Sequence, residues 1–321
     1  MSQNALRPEL ADTNPVARLA AFFTLGRRRM LWGYLFLAAP FAYLLIVRII
    51  PTAISLNMSL HQWSVLSPVR TWVGVDNFVR LASDERFWAS LRNTMVIAVI
   101  AVPAQIILAL GISLMLNRIT RFRSVYRLIY FVPFMTVLPA VARVWRWIYV
   151  PEIGSLNVLL QMLGLPTQPF LSSPRQALYA IIVVIIWQGL GFAVVITLAG
   201  LNQIPRVYYE AAELDGAGAW DQLWHITIPL LNTSLVFLAI TLTIGALQTF
   251  TLVFIMQSGS SAGHDLGGPL NSTRTLVLHI YDYGFKRYEM GYASAATMVM
   301  LVLMMVFSVA QLTLLNRRIE Y

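Results

Sequence analysis

The sequence predicts an all-α polytopic membrane protein with six transmembrane helices. Three observations carry that expectation. Of 321 residues, 58% are hydrophobic and 12% charged, with a mean hydropathy of +0.68, a balance outside the range of soluble domains. The apolar residues gather into six runs. Each run is long enough, at about 1.5 Å per helical residue, to cross a hydrocarbon core about 30 Å thick. The charges lie between those runs or at their ends.

Residues 1–30 read as a mixed tail with Arg7 and Arg18 that ends in Arg27-Arg28-Arg29, and residues 31–321 as the six-span domain. Leu31 to Ile50 is the first span. It is too long for a signal-peptide core and no small-x-small site closes it, so it reads as uncleaved. Pro51 to Ser90 reads as a polar, amphipathic outer segment with Asp76, Asp84 and Glu85. Span two is Leu91 to Leu116, with Pro103 and Gln105 inside it. The short connection Asn117 to Arg127 carries Arg118, Arg121, Arg123 and Arg127. Span three is Leu128 to Val150; Trp145, Trp147 and Tyr149 at its outer end suit an interfacial aromatic belt. After the proline-rich loop Pro151 to Gln176, span four is Ala177 to Ala199. A polar segment follows at about 200–229, then span five, Leu230 to Met256. The outer loop Gln257 to Tyr288 leads to span six, Met290 to Leu315, and Asn316-Arg317-Arg318 closes the chain.

Six spans put both termini on one side. Basic residues near span ends set which side. Twelve fall inside and eleven outside with the termini cytoplasmic. The total discriminates little, but the dense clusters Arg27–Arg29 and Arg118–Arg127 sit in short segments, which orient a topology most strongly.

The polar segment between spans four and five is built to be stiff. Pro205 suits the start of a short helix from Arg206 to Asp215. Gly216 and Gly218 break it where the backbone must turn. Ala219 to Ile226 makes a second short helix with Trp220, Leu223 and Trp224 on one side, ended by Pro229. Glu210, Glu213, Asp215 and Asp221 against Arg206 make the segment acidic on an otherwise basic face. The result is a rigid knob, suited to a mechanical contact.

Several chemistries are excluded. There is no cysteine, so no disulfide, thiol nucleophile or zinc-thiolate site. Lys286 is the only lysine and lies between Phe285 and Arg287, so the chain has no Gly-Lys-Ser/Thr phosphate loop. His61, His225, His264 and His279 are scattered without metal spacing, which predicts no metal site. No nucleophile elbow or pair of in-span carboxylates is present. The net charge of +9 is spread over span ends rather than along one face, which argues against nucleic acid.

Polar side chains inside spans are costly unless they face protein or water. Gln105, Gln188, Gln248 and Gln311 are the in-span amides. Gln188 lies in Trp187-Gln-Gly-Leu-Gly-Phe192 and Gln248 in Gly245-Ala-Leu-Gln-Thr-Phe250. Amides and hydroxyls beside aromatic rings suit a sugar. Helix–helix packing is the other reading; Gln188 and Gln248 are open to both, while Gln105 and Gln311 fit packing better. Arg143 and Arg146 share a helix face and read as snorkelling to the outer interface.

The pattern Glu210-Ala211-Ala212, three residues, Gly216, nine residues, Ile226, one residue, Ile228-Pro229 resembles the cytoplasmic EAA loop of ABC importer permeases. Trp72 to Phe78, Arg123 to Trp147, Gly154 to Asn157 and Met290 to Ala295 resemble the maltose and glycerol-phosphate type of sugar permease, so the likeness covers nearly the whole chain. It implies the type I importer permease fold, in a bacterial inner membrane, with alternating access to a sugar or sugar derivative. By position it points to Gln188, Gly189, Phe192, Gln248 and Thr249 as sugar contacts. The second stretch departs from the asparagine-rich family example, which leaves the sugar's identity open. It also assigns Glu210, Ala211, Ala212, Asp215 and Gly216 to docking on a separate ATPase. The implied partners are a second, related permease chain in a heterodimer, two nucleotide-binding subunits that hold ATP and Mg, and an extracytoplasmic solute-binding protein. No cofactor or catalytic residue is expected in this chain. A secondary transporter driven by an ion gradient is the alternative, but it would need carboxylates within spans.

Overall fold

In the computed structural model the described residues are 25–67, 69–118, 123–258 and 266–315. They belong to two compact units, Met1–Ser55 and Leu56–Tyr321. The tail with Arg7 and Arg18, Arg121, His264 and the closing Asn316-Arg317-Arg318 lie outside the described residues.

α1 (Leu25–Leu44) runs through a π-turn (Leu45–Ile49) into α2 (Ile50–Ser59), of which residues from Leu56 on belong to the second unit. Pro51 accounts for the π-turn. It has no N–H for the Val47 carbonyl and its ring would strike that oxygen, so the helix widens just ahead of it. The apolar helix from Arg29 to Ser59 is 31 residues long. At about 46 Å it exceeds a hydrocarbon core and must tilt or emerge. The segment expected to leave the helix at Pro51 therefore stays helical to Ser59. A proline relieved by a π-turn is no breaker.

The second unit continues with the hairpin of two-residue strands β1 (His61–Gln62) and β2 (Thr71–Trp72), antiparallel with His61 opposite Trp72. Next come α3 (Asp76–Ser83), α4 (Glu85–Arg118), α5 (Arg123–Met135), α6 (Leu138–Ile148), α7 (Ser155–Met162) and α8 (Ala177–Leu201). α9 (Arg206–Leu214) and α10 (Ala219–Gln222) form the knob. A π-turn (Leu223–Thr227) and α11 (Ile228–Leu230) join it to α12 (Asn232–Leu247). α13 (Thr251–Gln257), α14 (Leu276–Tyr281) with its π-turn (Asp282–Lys286), and α15 (Met290–Leu315) complete the unit.

α8 is the central helix, packed by α4, α5, α12 and α13. Its apolar residues are not confined to one stripe, as befits a helix surrounded by protein. Ile97, Ala101, Ile182 and Leu247 pack where α4, α8 and α12 meet, and Ala109, Leu116, Val194 and Leu238 continue that seam. Small residues set the approach distances. A Cβ on Gly191 would overlap the Tyr130 carbonyl oxygen, so α5 can lie on α8 only because that residue is glycine.

Among the described residues, five helices are long and apolar enough to cross a membrane, and six if one bent pair is a single span. That pair is the expected span three, and it is not straight. Leu128–Met135 and Leu138–Ile148 meet at 102°. Pro139 cannot donate to the Met135 carbonyl and Val137 is extended (φ −60°, ψ 123°), so a new helix starts there. Tyr149, expected in an interfacial belt, is 3% exposed and donates to the Ala180 carbonyl at 3.2 Å. Span five is also interrupted, at Gln248–Phe250 between α12 and α13. Pro229 does not end the knob; it sits inside α11, and the π-turn before it plays the part that Leu45–Ile49 plays before Pro51. Spans two, four and six run Glu85–Arg118, Ala177–Leu201 and Met290–Leu315.

Candidate functional site

The break in span five opens a cavity of about 380 Å³ between α4, α5, α8 and α12. The Phe250 backbone leaves the helical region (φ −128°, ψ −63°). The break is held by Thr275, whose hydroxyl donates to the Thr249 carbonyl at 2.9 Å. The Phe250 ring adds to the hold by stacking on Phe254 at 5.2 Å and leaning on Tyr281 at 5.2 Å. Irregular backbone at membrane depth survives only where it lines a cavity or is bonded by protein, and both conditions are met here.

Gln188, Gly189, Phe192, Gln248 and Thr249 all line this one cavity, although the chain separates the two stretches by the whole knob. Gln188 is half-buried and has no hydrogen-bond partner among the described residues. Gln248 is exposed to the cavity, and its Nε2 meets only the Met304 sulfur at 3.4 Å. The other two in-span amides join helices. Gln105 Nε2 donates to the Ile185 carbonyl at 2.8 Å and Gln311 Nε2 to Thr243 Oγ1 at 2.8 Å. Gln105 also reaches the cavity wall against Gly189, where any Cβ would strike its amide. Phe134, Thr241, Phe250 and Thr251 complete the polar and aromatic lining. Phe134 stacks on Phe192 at 5.4 Å. Phe134 escaped the sequence reading because α5 bends toward α8, and nothing local to it announces that; Thr241 and Phe250 belong to the polar stretch around Gln248. The walls are mostly apolar, with a few amides and hydroxyls aimed inward, the arrangement of a small-molecule site.

The knob lies at the other end of α8. Asp215 caps α9, Gly216 takes the left-handed conformation (φ +82°), and two reverse bonds close the turn: Ala217 N–H to the Ala212 carbonyl at 2.9 Å and Gly216 N–H to the Glu213 carbonyl at 3.1 Å. That is a Schellman ending, and it requires the glycine. The Asp221 carboxylate accepts from the Gly218 N–H at 3.2 Å and starts α10. Tyr209 OH and Thr227 Oγ1, 3.0 Å apart, tie the two halves together. The outward face carries Glu210, Ala211, Glu213 and Asp215, all exposed, beside the apolar Val207, Leu214 and Trp220. Leu214 is 90% exposed, and acids interleaved with apolar groups on a stiff support are what a docking surface requires.

A third assembly was not foreseen. At the end of the unit opposite the knob, Asp84 accepts from Tyr292 OH at 2.6 Å, Tyr283 OH at 2.9 Å and the Arg86 N–H at 2.8 Å. Burial alone would raise its carboxyl, but these donors outweigh it and hold Asp84 below the usual carboxylate range. His279 is fully buried beside it, 3.3 Å from Tyr292 OH. Burial, helped by the Arg274 charge, presses its imidazole down to about 4 against the pull of Asp84 and Asp282. Arg274, also fully buried, pairs with Asp282 at 3.1 Å. The network staples α3, α4, α14 and α15. Among the described residues no cluster of His, Asp or Glu could hold a metal ion.

Comparison with known proteins adds three findings. The family model described as "Binding-protein-dependent transport system inner membrane component" matches residues 86–321. The chain is 32% identical to the sulfoquinovosyl glycerol transport system permease protein of Agrobacterium fabrum over 96% of this chain and 97% of that one. It is 34% identical to the lactose transport system permease protein of Rhizobium radiobacter over 85% and 90% respectively. Its fold matches a chain of a bacterial alginate ABC transporter solved in complex with an alginate pentasaccharide-bound periplasmic protein (TM-score 0.76, 23% identity, 89% and 94% coverage).

Proposed function

Because the chain belongs to the binding-protein-dependent transport system inner membrane component family, we propose that it is the permease subunit of an ATP-driven importer for a sugar or sugar derivative. It contributes half of the translocation pathway, and a second, related permease supplies the other half. The observation that carries this reading is the cavity at the broken span. It holds two glutamine amides without strong protein partners, three threonine hydroxyls and a stacked pair of phenylalanines in an apolar wall. Amides bond sugar hydroxyls and rings cover the apolar sugar face. Relatives whose names specify sulfoquinovosyl glycerol and lactose support that substrate class.

The chain does no chemistry on its substrate. Two separate nucleotide-binding subunits hold ATP and Mg, and the knob seats in them through Glu210, Ala211, Ala212 and the turn at Asp215–Gly216. Their closure moves the knob, and the knob moves α8 and α12, between which it lies. The knob and both termini are cytoplasmic, and the Asp84 network faces the solute-binding protein. Ion-gradient coupling is less well supported: all fourteen acidic residues lie outside the apolar interiors of the spans.

The test is reconstitution of the chain with its partner permease, ATPase and solute-binding protein in liposomes, scored for ATP-dependent uptake over a panel of labelled sugars. Sugar-stimulated ATP hydrolysis with matching uptake is expected, and Glu210→Lys should insert normally yet lose uptake. Uptake that survives ATP depletion and collapses with a protonophore would replace this reading with the ion-coupled one.

A further inference from the structure

A second cavity, of about 510 Å³, lies between the β1–β2 hairpin, α3 and the start of α15, and shares no residue with the cavity at the broken span. Its wall is polar and apolar in about equal parts. Trp63, Thr71, Asn77, Arg80, Glu289 and Tyr292 are the groups that matter.

These groups are held in place. The Tyr292 ring is 2% exposed, with its hydroxyl locked on Asp84, and the Arg80 guanidinium lies over it at 4.7 Å. Arg80 pairs with Glu289 at 2.5 Å. Asn77 is buried, and its Nδ2 donates to the Ser59 and His61 carbonyls at 2.8 and 3.0 Å, which leaves Oδ1 as its remaining acceptor. The hairpin is pinned to α15 by a bridge from Ser64 to Glu289 and by the Gly291 N–H on the Trp63 carbonyl at 3.3 Å. A Cβ at Gly291 would overlap the His61 carbonyl, so glycine is what allows this approach.

The chemistry narrows the ligand. A carboxylate beside a guanidinium offers an acceptor and donors at one place, which suits two neighbouring hydroxyls. The two charges cancel, and the lining carries no other charged side chain. An anionic ligand would bring its charge against Glu289, and the two cations nearby are engaged, Arg80 with Glu289 at 2.5 Å and Arg70 over the Trp63 ring at 4.4 Å. Trp63 adds an indole that carries the Arg70 guanidinium over its ring at 4.4 Å, so aromatic surface and further N–H donors stand together at the wall. The volume falls within the range of small-ligand sites.

We propose that this cavity is a reception site for a neutral saccharide with adjacent hydroxyls, held at the outer mouth before it moves to the cavity at the broken span. The proposal rests on the importer reading, which places this end outside.

The test uses the full-length chain in lipid nanodiscs, titrated with lactose, maltose and trehalose by saturation-transfer NMR, with an unsulfated chondroitin disaccharide as the anionic probe. At least one neutral disaccharide should bind saturably. Arg80→Ala and Glu289→Gln should each weaken that binding at least tenfold, while Gln248→Ala leaves it in place and the anionic probe fails to compete. Unchanged near-UV circular dichroism shows that both variants fold; should either one unfold, Thr71→Val at the exposed rim gives the same readout. Four results overturn the proposal: no saturable binding of the three sugars, binding indifferent to these substitutions, preference for the anionic probe, or variants that bind sugar normally but lose capture of the solute-binding protein. Uptake in the reconstituted assembly separates the two readings. ATP-driven uptake by the wild type with any of those results removes the reception site alone, whereas absence of ATP-driven uptake removes the importer reading itself.

Discussion

Gly216 shows how far one residue can be read from sequence. A glycine just past an acidic, helix-forming stretch marks a left-handed cap, and its φ of +82° and two reverse hydrogen bonds are that cap. Open space surrounds its α-carbon, so a Cβ would clash with nothing and only the backbone conformation is at stake. Gly216→Ala should therefore weaken the end of α9 by about 1 kcal/mol, seen as hydrogen exchange roughly fivefold faster at Gly216 and Ala217 with the spans unaffected. His279 shows the opposite. Its surroundings were invisible in the sequence because Asp84 reaches Tyr283 and Tyr292 across 199 and 208 residues. The groups facing it are Asp84, Tyr283, Tyr292, Arg274, Asp282 and Arg287. With its folded pKa at about 4 and an ordinary value of 6.5, the unfolded chain takes up a proton that the folded chain refuses. Stability is thus lost as pH falls from about 6.5 toward about 4, by on the order of 3 kcal/mol at most. The Asp84 contribution has the same sign but fades only at lower pH, as its carboxyl protonates. The melting midpoint in detergent should drop between pH 7 and pH 4.5, and His279→Leu should flatten that slope; equal slopes would remove His279 as the cause.

At the scale of elements, the existence of helices was legible and their interruptions were not. Hydropathy marks where α4, α8 and α15 lie because burial in lipid or protein demands unbroken apolar runs. It says nothing of angle. Pro133 and Pro139 lie in the same span, yet Pro133 stays inside α5 and Pro139 starts a helix bent by 102°. The difference rests on Val137 becoming extended, a choice made by packing of α6 on α13. The break at Gln248–Phe250 has no proline at all and is held by Thr275 from a distant part of the chain. The glycines give this scale its test. Gly191→Ala would drive a methyl into the Tyr130 carbonyl, a backbone atom that cannot rotate away, and should cost about 1–3 kcal/mol as α5 is pushed off α8. Gly33→Ala has open space inside a helix and should be neutral or stabilising by up to about 1 kcal/mol. Melting midpoints of the two variants in one detergent should fall on opposite sides of, or at, the wild-type value in that order.

On the importer reading proposed above, the whole molecule separates recognition from drive. The cavity at the broken span and the knob share no lining residue, but α8 and α12 run from one to the other. That separation was readable in advance, because a polar island between two apolar runs and amides within them are features of the chain itself. What joins the two is tertiary packing. Tyr209 sits in a cluster with Leu201, Ile204 and Leu231 while its hydroxyl meets Thr227, so the knob is bonded both to itself and to the ends of α8 and α12. Tyr209→Phe keeps the ring in that cluster and removes the strut, worth about 1 kcal/mol. A knob that still docks but yields under load would let ATP hydrolysis proceed while less of each stroke reaches the spans. Uptake and hydrolysis measured in the same vesicles should therefore diverge, with fewer sugars carried per ATP at unchanged KM. Gln248→Ala should do the reverse, raising KM for uptake without altering the ratio of transport to hydrolysis at saturation. If Tyr209→Phe leaves that ratio at the wild-type value, stiffness of the knob is not what transmits the stroke, and the coupling must run through its outward surface alone.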